Sequence, residues 1–129
     1  MNRVKTRAEK QPQMAGDKAA DISQEDEVLI SYLRSRTGKT RSIPVWFTVS
    51  EKKMELLPMY GTRTKWFEDV QKSGRLDVRI RDWQMGANPS VVKDVQAIER
   101  TKRRFVEKYG ESDVRRYYPT QDVALVFPL

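Results

Sequence analysis

Residues 75–83, Arg-Leu-Asp-Val-Arg-Ile-Arg-Asp-Trp, alternate apolar and charged side chains without a break over their first seven positions. Successive side chains of a strand point to opposite faces. Leu76, Val78 and Ile80 therefore share one face, and Arg75, Asp77, Arg79 and Arg81 share the other. The strand has one wet face, and the chain must supply a core for the dry one. Residues 42–49, Ser-Ile-Pro-Val-Trp-Phe-Thr-Val, are rich in β-branched and aromatic side chains and read as a second strand. Pro44 has no N–H for a ladder, so it belongs near that strand's start or on an unpaired edge. A turn at 50–53 brings the chain back through 54–60 as the partner arm of a hairpin. Residues 26–33 form a strand or one helical turn. Residues 84–92 form a weaker strand broken by Gly86 and the Asn88-Pro89 turn signal, and 122–129 form a closing strand.

Helices punctuate these strands without strict alternation. A short one begins near Lys65, with Thr64 as its cap, Trp66, Phe67 and Val70 as its apolar stripe and Gly74 as its stop. A longer one runs from a cap at Asp94 to Tyr109, ending at Gly110, and 112–119 adds a turn of helix. Runs of strands interrupted by helices favour an α+β barrel of five or six mostly antiparallel strands over a doubly wound parallel sheet.

Residues 1–25 differ from the rest: few large apolar side chains, mixed charge and Gln, Pro, Gly and Ala, the composition of a disordered or weakly ordered tail. Residues 26–129 then suffice for one domain with one core. No apolar run reaches membrane-spanning length and no signal-peptide segment opens the chain, so the expected location is the cytoplasm.

The chain has neither Cys nor His. Ser-His and Cys-His catalysis are excluded and a soft-metal site is not expected. Any enzymatic chemistry must rest on Asp, Glu, Lys, Arg, Tyr or a cofactor. The net charge of +7 raises the question of nucleic acid. The excess is dispersed, however: five basic against two acidic residues in 1–20, six against six in 21–60, and fourteen against ten in 61–129. The one dense cluster, Lys102-Arg103-Arg104, has the ordinary reading of a solvated helix face.

Two basic turns stand out, Thr-Gly-Lys-Thr-Arg-Ser (37–42) and Tyr-Gly-Thr-Arg-Thr-Lys (60–65). In the hairpin both fall at one end, bringing Lys39, Arg41, Arg63 and Lys65 together with hydroxyls of Thr40, Ser42, Thr62 and Thr64 near a helix N-terminus. Such a set suits a phosphate. Ordinary turn chemistry accounts for the same residues equally well. The second Gly and the Gly-Lys-Ser/Thr ending of a P-loop are missing. Trp46, Phe47, Tyr60, Trp66 and Phe67 surround the same end; those not spent on the core make a planar slot for a flavin-sized cofactor. Tyr117 and Tyr118 are packing residues or a lid, and Met85-Gly86 marks a bulge or a close approach to a ligand.

In their order and spacing, residues 37–49, 59–80, 92–110 and the closing strand resemble the flavin- and deazaflavin-binding split barrels. These comprise the pyridoxamine-phosphate-oxidase-like proteins and the small deazaflavin-dependent nitroreductase-type proteins. The pieces that carry the likeness are Gly-Lys-x-Arg-Ser-x-Pro-x-Trp and Gly-x-Arg-x-Lys-Trp-Phe, and it spans residues 26–129. The resemblance implies a six-stranded split barrel with one short and one longer helix, a homodimer, and a cofactor groove near the dimer interface. It implies FMN or a deazaflavin coenzyme, its phosphate held by Lys39, Arg41, Ser42, Arg63 and Lys65. The ring would lie along Pro44 to Phe47, over Tyr60 and Gly61, with Trp46 and Trp66 in the slot. The loop that usually carries Asn-Pro before a Trp-Tyr pair is compressed here to Thr-Arg-Thr-Lys.

The expected function is hydride transfer from a reduced flavin or deazaflavin to a small electrophilic acceptor such as a nitroaromatic or quinone. Tyr117 or Tyr118 is the candidate proton donor. The alternatives are a non-catalytic flavin- or ligand-binding barrel and a basic nucleic-acid-associated barrel.

Overall fold

The chain breaks its strands at corners, and those corners set the architecture. In a computed structural model describing residues 21–129, eight strands form two four-stranded antiparallel sheets. The strands are β1 Val28–Leu33, β2 Thr40–Val45, β3 Thr48–Ser50, β4 Lys53–Leu56, β5 Leu76–Ile80, β6 Trp83–Ala87, β7 Ser90–Val92 and β8 Ala124–Pro128. The first sheet has the order β2-β1-β5-β6 and the second β3-β4-β8-β7.

Eight strands replace the expected six because two expected strands each split. The segment 42–49 stops at Val45, and Trp46-Phe47 carries the chain into the other sheet, where β3 begins. Residues 84–92 break at Asn88-Pro89, dividing β6 in the first sheet from β7 in the second. Strands that bend from one sheet into another are how packed sheets make corners. The expected hairpin is therefore divided. β2 pairs with β1, from Val28↔Val45 to Leu33↔Thr40, and only β3 pairs with β4, from Thr48↔Glu55 to Ser50↔Lys53. Pro44 sits on an edge strand, where its missing N–H breaks no ladder between two neighbours. Residues 26–33 settle as strand rather than helix.

The helices are α1 Lys65–Ser73, α2 Val95–Tyr109 and α3 Glu111–Tyr117, with a 3₁₀ turn at Gly61–Arg63. One helix more than expected is present because Gly110, at φ 96°, ends α2 and starts α3 directly. Asp94 caps α2 by accepting the Ala97 N–H at 2.9 Å. Thr64 does not cap α1 through its side chain; its Oγ1 accepts the Tyr60 N–H at 2.8 Å and closes the preceding turn.

The alternation in β5 holds: Leu76, Val78 and Ile80 are buried and Asp77 and Arg79 exposed. They join Val28, Ile30, Phe47, Phe67 and Phe127 in the main core. A second core under α2 and α3 gathers Leu57, Ile98, Phe105, Val114 and Tyr118. Of the expected tail, residues 1–20 lie outside the described residues. Over 21–25 the chain is placed against the barrel, with Ile22 buried in the main core and Arg81 paired to Asp21 and Glu25. Among the described residues no helix is long and apolar enough to cross a membrane.

Candidate functional site

Alternation in β1 aims Val28, Ile30 and Tyr32 inward. Arg41 stands directly opposite Tyr32 on β2, and directly opposite residues share a face, so both emerge at the mouth of the barrel. The β1–β2 turn closes through the Arg34 N–H to the Lys39 carbonyl at 2.8 Å and leaves Arg34, Ser35 and Arg36 beside this mouth. α1 packs against β1 and brings Lys65, Asp69 and Lys72 to the same place. Asp69 locks the two together: its Oδ1 accepts the Ser35 N–H at 3.1 Å and the Ser35 hydroxyl at 2.7 Å. Those bonds, assisted by Arg34 and Lys72, hold its carboxyl below the usual range.

The cavity is an open cleft of about 780 Å³, within the range of small-molecule sites. Ile43, Pro44, Val45, Trp46 and Leu57 form its apolar wall. Arg34, Arg36, Arg41, Arg63, Lys65 and Lys72 line it against three carboxylates, Glu27, Glu68 and Asp69. Among the described residues, none of these six cations has an ion pair or side-chain hydrogen bond; Arg34 and Lys72 act on Asp69 through charge alone. A concave site with six unpaired cations and an apolar wall suits an anion attached to an apolar body.

Of the twelve cofactor-binding and proton-donor candidates, the cavity gathers nine: Arg41, Pro44, Trp46, Tyr60, Arg63, Lys65, Trp66, Tyr117 and Tyr118. Lys39, Ser42 and Gly61 are not on its wall. Lys39 serves the hairpin turn, its N–H reaching Thr37 Oγ1 at 3.2 Å. Ser42 follows Arg41 and so points to the other face, where its Oγ lies 2.7 Å from Ser31 Oγ across the ladder. Gly61 is buried at φ 60°, where a Cβ would collide with the Asp122 carboxylate. That carboxylate accepts the Thr62 N–H and hydroxyl, each at 3.0 Å, tying the 3₁₀ turn to the C-terminal segment. The two basic turns do converge, but not as ends of one hairpin. One belongs to the β1–β2 turn region and the other follows β4 in the second sheet.

Sequence reasoning missed Tyr32, Arg34, Arg36, Asp69 and Lys72 as lining residues. The usable signal was the alternation Val28-Ile30-Tyr32, which puts Tyr32 on the core face once 26–33 is taken as strand.

Behind the apolar wall, Trp46 stacks on Tyr109 with centroids 4.1 Å apart at 8° and meets Tyr117 edge-on at 5.7 Å. Tyr118 is buried in the second core, and burial pushes its hydroxyl far above the ordinary value; Tyr117 is exposed at the rim. The Tyr109 hydroxyl accepts the Phe47 N–H at 3.1 Å and lies 2.7 Å from the Asp26 carbonyl, and burial pushes it up to about 12. These bonds fix the Trp46-Phe47 corner and so the position of Trp46. In the basic cluster, Arg104 is committed to Glu55, through Nε–Oε1 at 2.8 Å and Nη2–Oε2 at 2.5 Å.

No protein-family model matches the chain, and no curated protein matches its sequence at a significant level. Solved structures match its fold. An F420-H2-dependent reductase, FDR-A, is 16% identical with a TM-score of 0.61, over 79% of this chain and 93% of its own. A putative pyridoxamine 5′-phosphate oxidase from Listeria innocua is 12% identical with a TM-score of 0.66, over 89% and 93%. HutZ, a heme storage protein from Vibrio cholerae, is 12% identical with a TM-score of 0.63, over 87% of each chain. At these identities the likeness is one of fold: two antiparallel sheets with helices, in the manner of the α+β split barrels.

Proposed function

We propose that the chain is a flavin- or deazaflavin-dependent oxidoreductase that reduces a small electrophilic acceptor. The observation that carries this reading is the cavity of about 780 Å³ in which unpaired Arg41, Arg63 and Lys65, from three different elements, face a wall built on Ile43 to Trp46. The fold neighbours include a reductase that depends on F420-H2 and a protein described as a pyridoxamine 5′-phosphate oxidase. The residues present fit such a group, which pairs a charged phosphate arm with a planar ring.

Arg41, Arg63 and Lys65 would hold the phosphate by charge-assisted hydrogen bonds. Pro44, Val45, Trp46, Tyr60 and Trp66 would supply the apolar lining for its ring and limit its contact with water. When bound in its reduced form, the cofactor supplies the hydride. Tyr117, exposed at the rim with its ring edge-on to Trp46, would hold the proton that the reduced acceptor takes up; Tyr118 is committed to the core. The chain works as a homodimer, a reading supported by a domain-swapped dimer among the fold neighbours.

Haem is the competing occupant, since a heme storage protein shares the fold. The chain has neither His nor Cys, the side chains that most often ligate haem iron, and that favours the flavin-type reading. Absorption spectra of the purified protein titrated with FMN, with the deazaflavin coenzyme and with hemin test the proposal. Micromolar binding of one of the first two is expected; binding of neither overturns it. Turnover of a nitroaromatic or quinone acceptor by the loaded protein separates the enzyme from a binding barrel.

A further inference from the structure

Tyr32 is 6% exposed, lines the cavity, and its hydroxyl has no hydrogen-bond partner among the described residues. Buried hydroxyls almost always have a partner, and an unpartnered one loses its solvation without recompense. The rest of the side chain is explained by packing, for it continues the inward row of Val28 and Ile30 into the main core. A phenylalanine would complete that row equally well, so the core does not account for the oxygen.

The surroundings indicate what the hydroxyl is for. Arg41 is its direct cross-strand neighbour, and Arg34 lies two residues on. Burial pushes the phenol above its ordinary value of 10.0, partly offset by Arg41 and Arg34 and reinforced by Asp69. At neutral pH the group is therefore a protonated donor. A donor beside two guanidinium groups, at the mouth of a cavity and lacking an acceptor in the protein, is arranged for an anionic oxygen from outside.

We infer that Tyr32 is a ligand-binding residue: its hydroxyl donates to an anionic oxygen of the bound ligand, alongside Arg41, and selects the phosphorylated form over the same ring without phosphate. The inference rests on the proposed cofactor reading and names the residue by which the site measures ligand charge. Of Lys39 and Ser42, the residues the sequence pattern offered for this place, Lys39 is off the cavity wall and Ser42 is spent on the ladder. Tyr32 occupies the position they do not.

The test compares wild type and Tyr32→Phe with FMN and with riboflavin, read by flavin fluorescence or absorbance. Phenylalanine keeps the packing, so the variant should melt at the same temperature or higher. Loss of one donor to a charged oxygen should weaken FMN about tenfold or more. Riboflavin affinity should stay within about twofold, so the preference for FMN falls by about the same tenfold. If wild type binds FMN and the variant binds it equally well, the inference is overturned while the cofactor reading stands. If wild type binds no flavin and no deazaflavin, that reading fails, and inorganic pyrophosphate becomes the probe in a thermal-shift titration. Stabilisation of wild type but not of Tyr32→Phe then sustains Tyr32 as an anion-binding residue; equal stabilisation, or none, overturns it.

Discussion

Two charged regions of this chain are built by opposite rules. Glu55 is buried on β4, and each of its oxygens is answered: Oε1 by Thr48 and Arg104, Oε2 by Thr101 and Arg104. The cavity at the mouth of the first sheet gathers six cations, and none of them makes an ion pair or side-chain hydrogen bond among the described residues. A buried carboxylate left unanswered would be severely destabilising, whereas exposed guanidinium groups left unanswered are solvated by water until a ligand displaces it. The difference separates charge that holds the second sheet to α2 from charge held ready for something else.

The strongest way to break that contrast is at Glu55. Replacing it with Ala strands Arg104 and two threonine hydroxyls, and should destabilise the fold by about 3 kcal/mol in urea denaturation. A loss below about 1 kcal/mol would mean the network contributes little. Burial pushes the Glu55 carboxyl up, but hydrogen bonds from Arg104, Thr48 and Thr101 prevail and leave it below its ordinary value of 4.5. A carboxyl lowered in the folded state contributes stability that is present above the ordinary value and is lost as pH falls through the folded one. Wild type should therefore lose more stability than Glu55→Gln between pH 6 and pH 3; parallel losses would remove Glu55 from the acid response.

At the cavity the expectation reverses. Arg63→Ala should weaken FMN or deazaflavin binding by about 2 kcal/mol, seen by titration. Its unfolding free energy should stay within about 0.5 kcal/mol of wild type. Stability falling in step with affinity would show that Arg63 is structural. Asp69→Ala probes the border between the regions, because it removes both bonds to Ser35. We expect a loss of about 1.5 kcal/mol and faster hydrogen exchange around residues 34–39; unchanged exchange would mean the turn needs no tie to α1. Smallest is Asp94→Ala, which deletes the cap of α2 far from the cavity. It should lower stability by about 1 kcal/mol without touching ligand affinity, and an affinity change would mean α2 reaches the site.

How much of this was legible depended on whether a signal was local. The alternation of β5, the edge position of Pro44 and the Asp94 cap follow from period and residue chemistry, and all three stand in the structure. The two sheet-changing corners do not follow, because residues 42–49 keep strand-forming side chains straight through the bend. With the corner unseen, β2 was given the wrong partner, although Arg41, Arg63 and Lys65 still met. The cations of the β1–β2 turn were overlooked for a related reason: a segment read as either strand or helix gives no firm position to the turn after it.

The two-residue corner at Trp46-Phe47 also bears on when the site comes into being. Its wall draws on residues from Glu27 to Tyr118, and Trp46 on that wall is stacked on Tyr109 of α2. The β1–β2 arm supplies one part of the receptor and the segment after β4 with α1 another, so full ligand capture reports that these parts have come together. A bound molecule would in turn act as a seal across that seam, slowing its opening by mass action.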